Sequence, residues 1–116
     1  MSVPTTRVSR PSGRTAARAE LAEETVALEA ELEAAQAAVA SGETRLRLLT
    51  TQVIPSAFAT VEAVLRSYRV GQAPFLNVLA AEDSFYRAEL EAAMVAAEHL
   101  THLVMLEQLL LSEDAQ

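Results

Sequence analysis

Hydrophobic and small residues recur at alternating steps of four and three along the first half of the chain. From Leu28 to Val53 the alternation runs without a slip, which is typical of a helix that packs along another helix. The positions of this stripe are Leu21, Leu28, Leu32, Ala35, Val39, Gly42, Leu46, Leu49 and Val53. Because Gly42 keeps the phase, the pattern favours one continuous helix with Gly42 at a close helix–helix contact. The alternative is a turn at Gly42, which would give a three-helix bundle.

Pro55 lies where this pattern shifts phase. The stripe resumes at Ala57, Val61 and Val64, but with an extra step of four. Proline removes one hydrogen bond of the helix and its ring presses on the preceding turn. We therefore predict a kink near Pro55, within a helix that spans about residues 15–69.

Gly71 predicts the end of this helix, because glycine is favoured just past a helix end and Pro74 suits the start of the next one. A turn over 70–73 and a second helix over about 74–111 follow. The predicted stripe of the second helix is Leu79, Tyr86, Leu90, Ala93, Ala97, Leu100, Val104 and Leu111.

The end of the second helix is apolar on almost every side. One partner helix covers only one side, so the remainder needs a second partner. We expect this end to be an assembly surface that docks against another protein or another copy of the chain. Its residues are Leu103, Val104, Leu106, Leu110 and Leu111.

These patterns predict an all-α protein, a long antiparallel helical hairpin of the coiled-coil type over residues 15–112. A flexible basic arm, 1–14, would precede it and a short tail, 113–116, would follow. Composition agrees, because 51% of the residues are hydrophobic and only 4% aromatic, with three Gly and four Pro. An all-β fold needs more turn residues and more β-branched or aromatic strands.

The charge is uneven, with a net −7 overall and four Arg but no acid in residues 1–19. An acidic body disfavours nucleic-acid binding, since phosphate contacts need basic side chains. The basic arm could make only weak contact with an anionic surface, because salt screens charges beyond ~8 Å. No uninterrupted run of 18 apolar residues occurs, so we expect no transmembrane segment. No secretory signal is seen.

Residues 29–111 resemble the C-terminal helical hairpin of outer-membrane efflux proteins, the TolC family. The shared run has a hydrophobic residue, Pro, any residue and Ala, then Tyr-x-x-Gly-x-x-x-Phe-x-x-Val-Leu, then a long Ala- and Leu-rich helix. The matching residues are Ile54, Pro55, Ala57, Tyr68, Gly71, Phe75, Val78, Leu79 and Leu90. The resemblance implies an element of a periplasmic α-barrel, and therefore a location in the periplasm or at the periplasmic face of a membrane complex.

In that family the turn at the glycine is the tip that meets a membrane-fusion adaptor. The resemblance therefore implies a partner-binding tip, which consists of Tyr68, Gly71, Phe75, Leu76 and Leu79. The family's protomer also has a second hairpin and four membrane strands, for which this sequence has no pattern. The expected function is that of a structural or interaction subunit in a protein assembly. The alternative is a truncated or modular efflux component that binds an adaptor through the tip.

Candidate chemistry is sparse. Cysteine is absent, so there is no thiolate ligand or nucleophile. His99 and His102 share a helix face and could ligate a metal, with Glu98 and Glu107 as the nearest carboxylates at ligand spacing. No Glu-x-x-His motif occurs, so helix packing or surface polarity is the preferred interpretation. Glu82 and Asp83 are adjacent and diverge by about 100° around a helix. We expect no catalytic residues, no metal, no cofactor and no enzymatic activity.

Overall fold

The computed structural model describes residues 13–115, which form helices joined by one short turn. These helices are α1, Gly13–Leu48; a π-helical turn, Leu49–Val53; α2, Ile54–Arg69; and α3, Phe75–Asp114. No strand is formed over residues 13–115, which confirms the predicted all-α class. Most of the predicted basic arm, residues 1–12, lies outside the described residues, as does Gln116.

The helix continues through Gly42 without a break. A turn at that position, which the three-helix alternative needs, is not formed. Gly42 lies where α1 meets α3, and a Cβ built on it would be 2.8 Å from Nδ1 of His99. Glycine therefore allows the close approach of the two helices at this point.

The irregularity near Pro55 is a π-helical turn. The amide of Ile54 donates to the carbonyl of Leu49, five residues back, and α2 begins there with Pro55 in its first turn. A side-chain hydroxyl of this turn also bonds to the backbone: Thr51 Oγ1 donates to the carbonyl of Arg47 at 2.6 Å. A π-helical turn adds one residue to the helix, which relaxes the backbone next to a proline that cannot donate.

The extra residue accounts for the phase shift in the sequence. Leu49 is buried and the next residue on the same face is Ile54, five positions on, rather than the predicted Val53, which is exposed. The stripe then continues through Ala57, Val61 and Val64, all half-buried.

Helix α3 packs along both α1 and α2. The aromatic rings of Phe58 and Phe85 lie 5.6 Å apart, and Nη2 of Arg45 is 2.7 Å from Oε1 of Glu91. Both members of this ion pair are about half exposed, so it contributes little to stability.

The core is a single line of mostly small side chains. Leu49, Ala92 and Val95 form a buried cluster, against which Leu46 and Ile54 pack. The buried hydrophobic residues are Leu49, Val78, Ala81, Ala88, Ala92 and Val95. The molecule is only 14 Å thick along its shortest axis, so it is one layer of helices rather than a globular body.

The stripe predicted for the second helix is wrong, because other residues of α3 form the face that packs against α1 and α2. The side of α3 that faces α1 and α2, here called the seam, repeats at steps of three and four. Its residues are Val78, Ala81, Phe85, Ala88, Ala92, Val95, His99, His102, Leu106 and Leu109, all buried or half-buried. The predicted stripe is displaced from the seam by about 150° around the helix and is exposed along its whole length.

Candidate functional site

The turn between α2 and α3 is built by hydrogen bonds characteristic of a glycine-terminated helix. The amide of Gly71 donates to the carbonyl of Tyr68 at 3.0 Å, and the amide of Gln72 donates to the carbonyl of Ser67 at 2.8 Å. This pair of bonds is the Schellman motif, which requires a left-handed residue. Gly71 supplies it with φ of 76°.

Two aromatic residues hold the two sides of this turn together. The rings of Tyr68 and Phe75 lie 5.5 Å apart at an interplanar angle of 53°, a favourable tilted geometry. Both side chains are also partly exposed, so they pack on each other and still present a surface.

The outer side of the turn is apolar. Leu76 is 74% exposed. Val70, just after α2, and Leu79, near the start of α3, are also exposed. All five residues of the predicted tip, Tyr68, Gly71, Phe75, Leu76 and Leu79, are exposed. Val70 extends this apolar surface and was not among the residues predicted from the sequence.

The predicted assembly surface is divided between two sides of α3. Leu106 is half-buried in the seam, whereas Leu103, Val104, Leu110 and Leu111 are exposed. Next to them an open groove of about 660 Å³ runs between α1 and α3. It is lined by Glu31, Ala34, Ala35, Ala38, His102, Met105, Gln108, Leu109 and Ser112.

The stripe of α3 that the sequence pattern assigned to the packed face is exposed to solvent. We call it the back face; it consists of Leu79, Tyr86, Leu90, Ala93, Ala97, Leu100, Val104 and Leu111, and it joins the tip to the assembly surface. Leu90 and Leu100 are 61% and 62% exposed. Its central part, from Tyr86 to Val104, is apolar at every step, whereas Asp83 and Glu107 interrupt it on either side. Large exposed apolar patches mark interaction sites.

The two histidines lie in the seam. Nδ1 of His99 is buried and has no hydrogen-bond partner among the described residues. His102 is half-buried one turn further on and lines the groove. The described residues contain no group of three or more His, Asp or Glu side chains that could hold a metal ion.

One helical stretch, Gly13–Arg69, is long and apolar enough to cross a membrane by length and composition. An 18-residue segment of this stretch has a mean hydropathy of 1.4, and 6% of that segment is buried. Core helices of soluble proteins and signal sequences meet the same criterion, so the absence of a transmembrane segment stays a prediction.

No family model, no curated protein and no solved structure matches this chain. The likeness to the TolC family therefore rests on the residues quoted from the sequence.

Proposed function

We propose that the chain is a non-catalytic helical subunit that acts through its surfaces within a larger protein assembly. The observation that carries this proposal is the back face, which is exposed to water, whereas six hydrophobic residues are buried within residues 13–115. Burying one Leu-sized side chain stabilises by roughly 1.5–3 kcal/mol. A partner over the back face would therefore add apolar burial that the chain does not achieve alone.

More specifically, we propose that the chain forms a long antiparallel hairpin of the TolC type. In this form the chain works in the periplasm, or at the periplasmic face of a membrane complex, beside other subunits or copies of itself. The turn at Gly71 and the contact between the tilted rings of Tyr68 and Phe75 are features expected of a rigid hairpin end. The location follows from the resemblance alone.

Light scattering of the purified chain together with a dye that binds exposed hydrophobic surface tests the proposal. A chain that needs a partner should either self-associate at micromolar concentration or bind the dye. A well-folded monomer that binds no dye would contradict the proposal, because it would have no apolar surface left to cover.

The second candidate function is adaptor binding through the tip, in a truncated or modular efflux component. The exposure of Leu76, with Val70 and Leu79 also in water, favours it. Because these side chains are exposed, they are available for contact with a partner.

The tip hypothesis is tested by replacing Leu76 with Glu and measuring binding to the helical hairpin of a membrane-fusion adaptor. The matched control is Leu21→Glu, since Leu21 is also well exposed but lies near the other end of the molecule. Weaker binding by the Leu76 variant alone supports adaptor recognition. Equal binding by both variants and the parent chain, or no binding at all, excludes the tip as the adaptor site.

A further inference from the structure

We propose that the tip, together with Val70, docks on an anionic lipid surface. The contact goes beyond the proposed function, because the assembly argued above uses the back face and this contact uses the turn between α2 and α3. It also differs from adaptor binding, since the partner is a lipid surface and not a protein. Two features of the tip carry the proposal: its exposed apolar side chains and its positive charge.

The chain from Val70 to Ala81 contains no charged residue, and most of it is exposed to water. Leu76 and Val70 are 74% and 68% exposed, and Phe75 is about half exposed. Apolar side chains of this size enter the boundary between lipid headgroups and acyl chains. Tyr68 is also exposed, and tyrosine is favoured at the level of the headgroups. The tip therefore has the side chains of a surface that enters the membrane interface.

The helix that leads into the turn adds positive charge beside these apolar residues. Arg66 and Arg69 are the only charged residues between Glu62 and Glu82, and both are exposed. Neither forms an ion pair with another side chain of residues 13–115. Because the net charge of the chain is −7, an anionic surface repels most of the chain but attracts this part of it.

The nearest acids are set back from the turn along both helices. Helix α2 ends at Arg69 and α3 begins at Phe75. Glu62 lies seven residues before that end and Glu82 lies seven residues after that beginning, which is about 10 Å along each helix axis. Physiological salt screens charges beyond ~8 Å. A lipid surface in contact with the turn would therefore attract the two arginines and only weakly repel the acids.

The start of α1 is also positive but lacks the apolar residues. Arg14 and Arg18 are exposed, yet no large hydrophobic residue occurs between Gly13 and Glu20. Glu20 also follows Arg18 by only two residues, so its charge offsets part of the attraction. Of these two positive parts, only the tip combines charge with exposed apolar side chains.

The back face has the apolar residues but lacks the positive charge. Helix α3 carries eight acids and one arginine over Phe75–Asp114. An anionic surface would therefore repel a helix that lay along it. The charge of the chain favours contact through the turn over contact along the length of α3.

Binding of the full chain to lipid vesicles tests the proposal. One set of vesicles contains phosphatidylcholine alone, and the other contains phosphatidylcholine and phosphatidylglycerol in equal amounts. The chain should sediment with the anionic vesicles at least tenfold more tightly, and salt of about 1 M, which shortens the screening length to ~3 Å, should remove the difference. Equal binding to both sets, or binding to neither, would overturn the proposal.

Paired substitutions locate the contact. Arg66→Gln with Arg69→Gln should weaken binding to the anionic vesicles at least tenfold, since each arginine near such a surface contributes about fivefold. The matched control is Arg14→Gln with Arg18→Gln, two exposed arginines of α1, and it should change binding less than about twofold. A loss of binding in the control pair alone would move the contact to the start of α1 and overturn the proposal.

A single tryptophan shows which surface enters the lipid, because the chain has none of its own. With anionic vesicles, Leu76→Trp should shift its emission to shorter wavelengths, whereas Leu100→Trp on the back face and Leu21→Trp on α1 should not. All three positions are about equally exposed, so the fold should tolerate each change. A shift at Leu100 and none at Leu76 would show that α3 lies flat on the lipid, which overturns the proposal.

The outcomes separate this proposal from the others. A chain that binds an adaptor hairpin through Leu76 but no vesicle would leave the tip as a protein-binding site and overturn the lipid contact. The proposed function is decided by self-association and dye binding, which involve no lipid, so it can stand where the lipid contact fails.

Discussion

Gly42 and His99 meet where α1 packs closely against α3, and they constrain each other. The Cβ and Cγ atoms of His99 would lie 3.4 Å from a Cβ added at Gly42, and Nδ1 would lie closer still. The imidazole sits in the seam, so it has little freedom to rotate away. Two effects therefore oppose each other at Gly42: an alanine would favour the helix but crowd the histidine.

We predict that Gly42→Ala lowers the free energy of unfolding when His99 is present and raises it when His99 is replaced by alanine. In the parent chain the crowding should outweigh the helix propensity and lower the free energy of unfolding by about 1 kcal/mol. In a His99→Ala background the same change should raise it by about 1 kcal/mol, as expected for a Gly-to-Ala change inside a helix. Urea unfolding at one fixed protein concentration measures both. Equal effects in the two backgrounds would show that the contact is absent.

Gly71 is required for its backbone conformation and not for space. Nothing lies within 4 Å of a Cβ placed on it. Gly71→Ala should therefore destabilise by about 1–2 kcal/mol, the cost of a left-handed conformation for a residue with a Cβ. Gly71→Asn is the matched control and should cost less, because asparagine tolerates this conformation. Thermal unfolding compares them, and a fully stable alanine variant would rule out the left-handed turn.

At the scale of elements, the π-helical turn keeps one stripe facing α3 on both sides of Pro55. Leu49 and Ile54 are five positions apart, which matches one extra residue in an α-helical step of four. Deleting one residue of the turn should therefore restore an ordinary helix without moving the stripe. The proline would then lie inside a regular helix, at a cost of about 3 kcal/mol, unless it is also replaced.

We predict that deletion of Gln52 together with Pro55→Ala leaves a folded chain of nearly unchanged stability. The control is deletion of Ala37, an exposed residue of α1, also with Pro55→Ala. That deletion turns one part of the stripe by about 100° and should cost several kcal/mol through lost apolar burial. Circular dichroism during urea unfolding separates the two. If both deletions are equally harmful, the π-helical turn does not set the phase.

The two halves of the fold differed in how far the sequence could predict them. Leu28, Leu32 and Leu46 of α1 and Leu49 of the π-helical turn lie on the packed face, so this part of the stripe was found, whereas the predicted Leu21 is exposed. In α3 the close approach of the helices selects Ala88 and Ala92 for the seam, and the large residues lie opposite. A pattern search for large hydrophobic residues therefore identified the back face.

The candidate sites followed the same rule. The turn at Gly71 could be predicted because its glycine and Pro74 are local sequence signatures, whereas the binding role of the tip follows from the resemblance and stays a prediction. The back face could not be assigned to solvent from the sequence, because two heptad stripes on one helix have the same period and only the packing of the whole chain selects between them.

At the scale of the whole molecule, one layer of helices gives little protection to its own apolar residues. The chain measures 106 Å by 37 Å by 14 Å, and its exposed large hydrophobic residues outnumber its buried ones. Its stability should therefore depend on association. Leu100→Glu on the back face should weaken association at least tenfold, since it places a charge in the centre of the interface. Leu21→Glu, equally exposed on α1, should leave association unchanged, as sedimentation equilibrium would show.

The most direct test of the account is the dependence of the thermal unfolding midpoint on protein concentration. If a second copy completes the fold, a hundredfold rise in concentration adds about 2.7 kcal/mol to the stability of the dimer. For a dimer of this size the midpoint should then rise by roughly 5–10 °C. A midpoint that does not change with concentration, in a chain that also binds no hydrophobic dye, would contradict the account, because no apolar surface would then be left for a partner to cover.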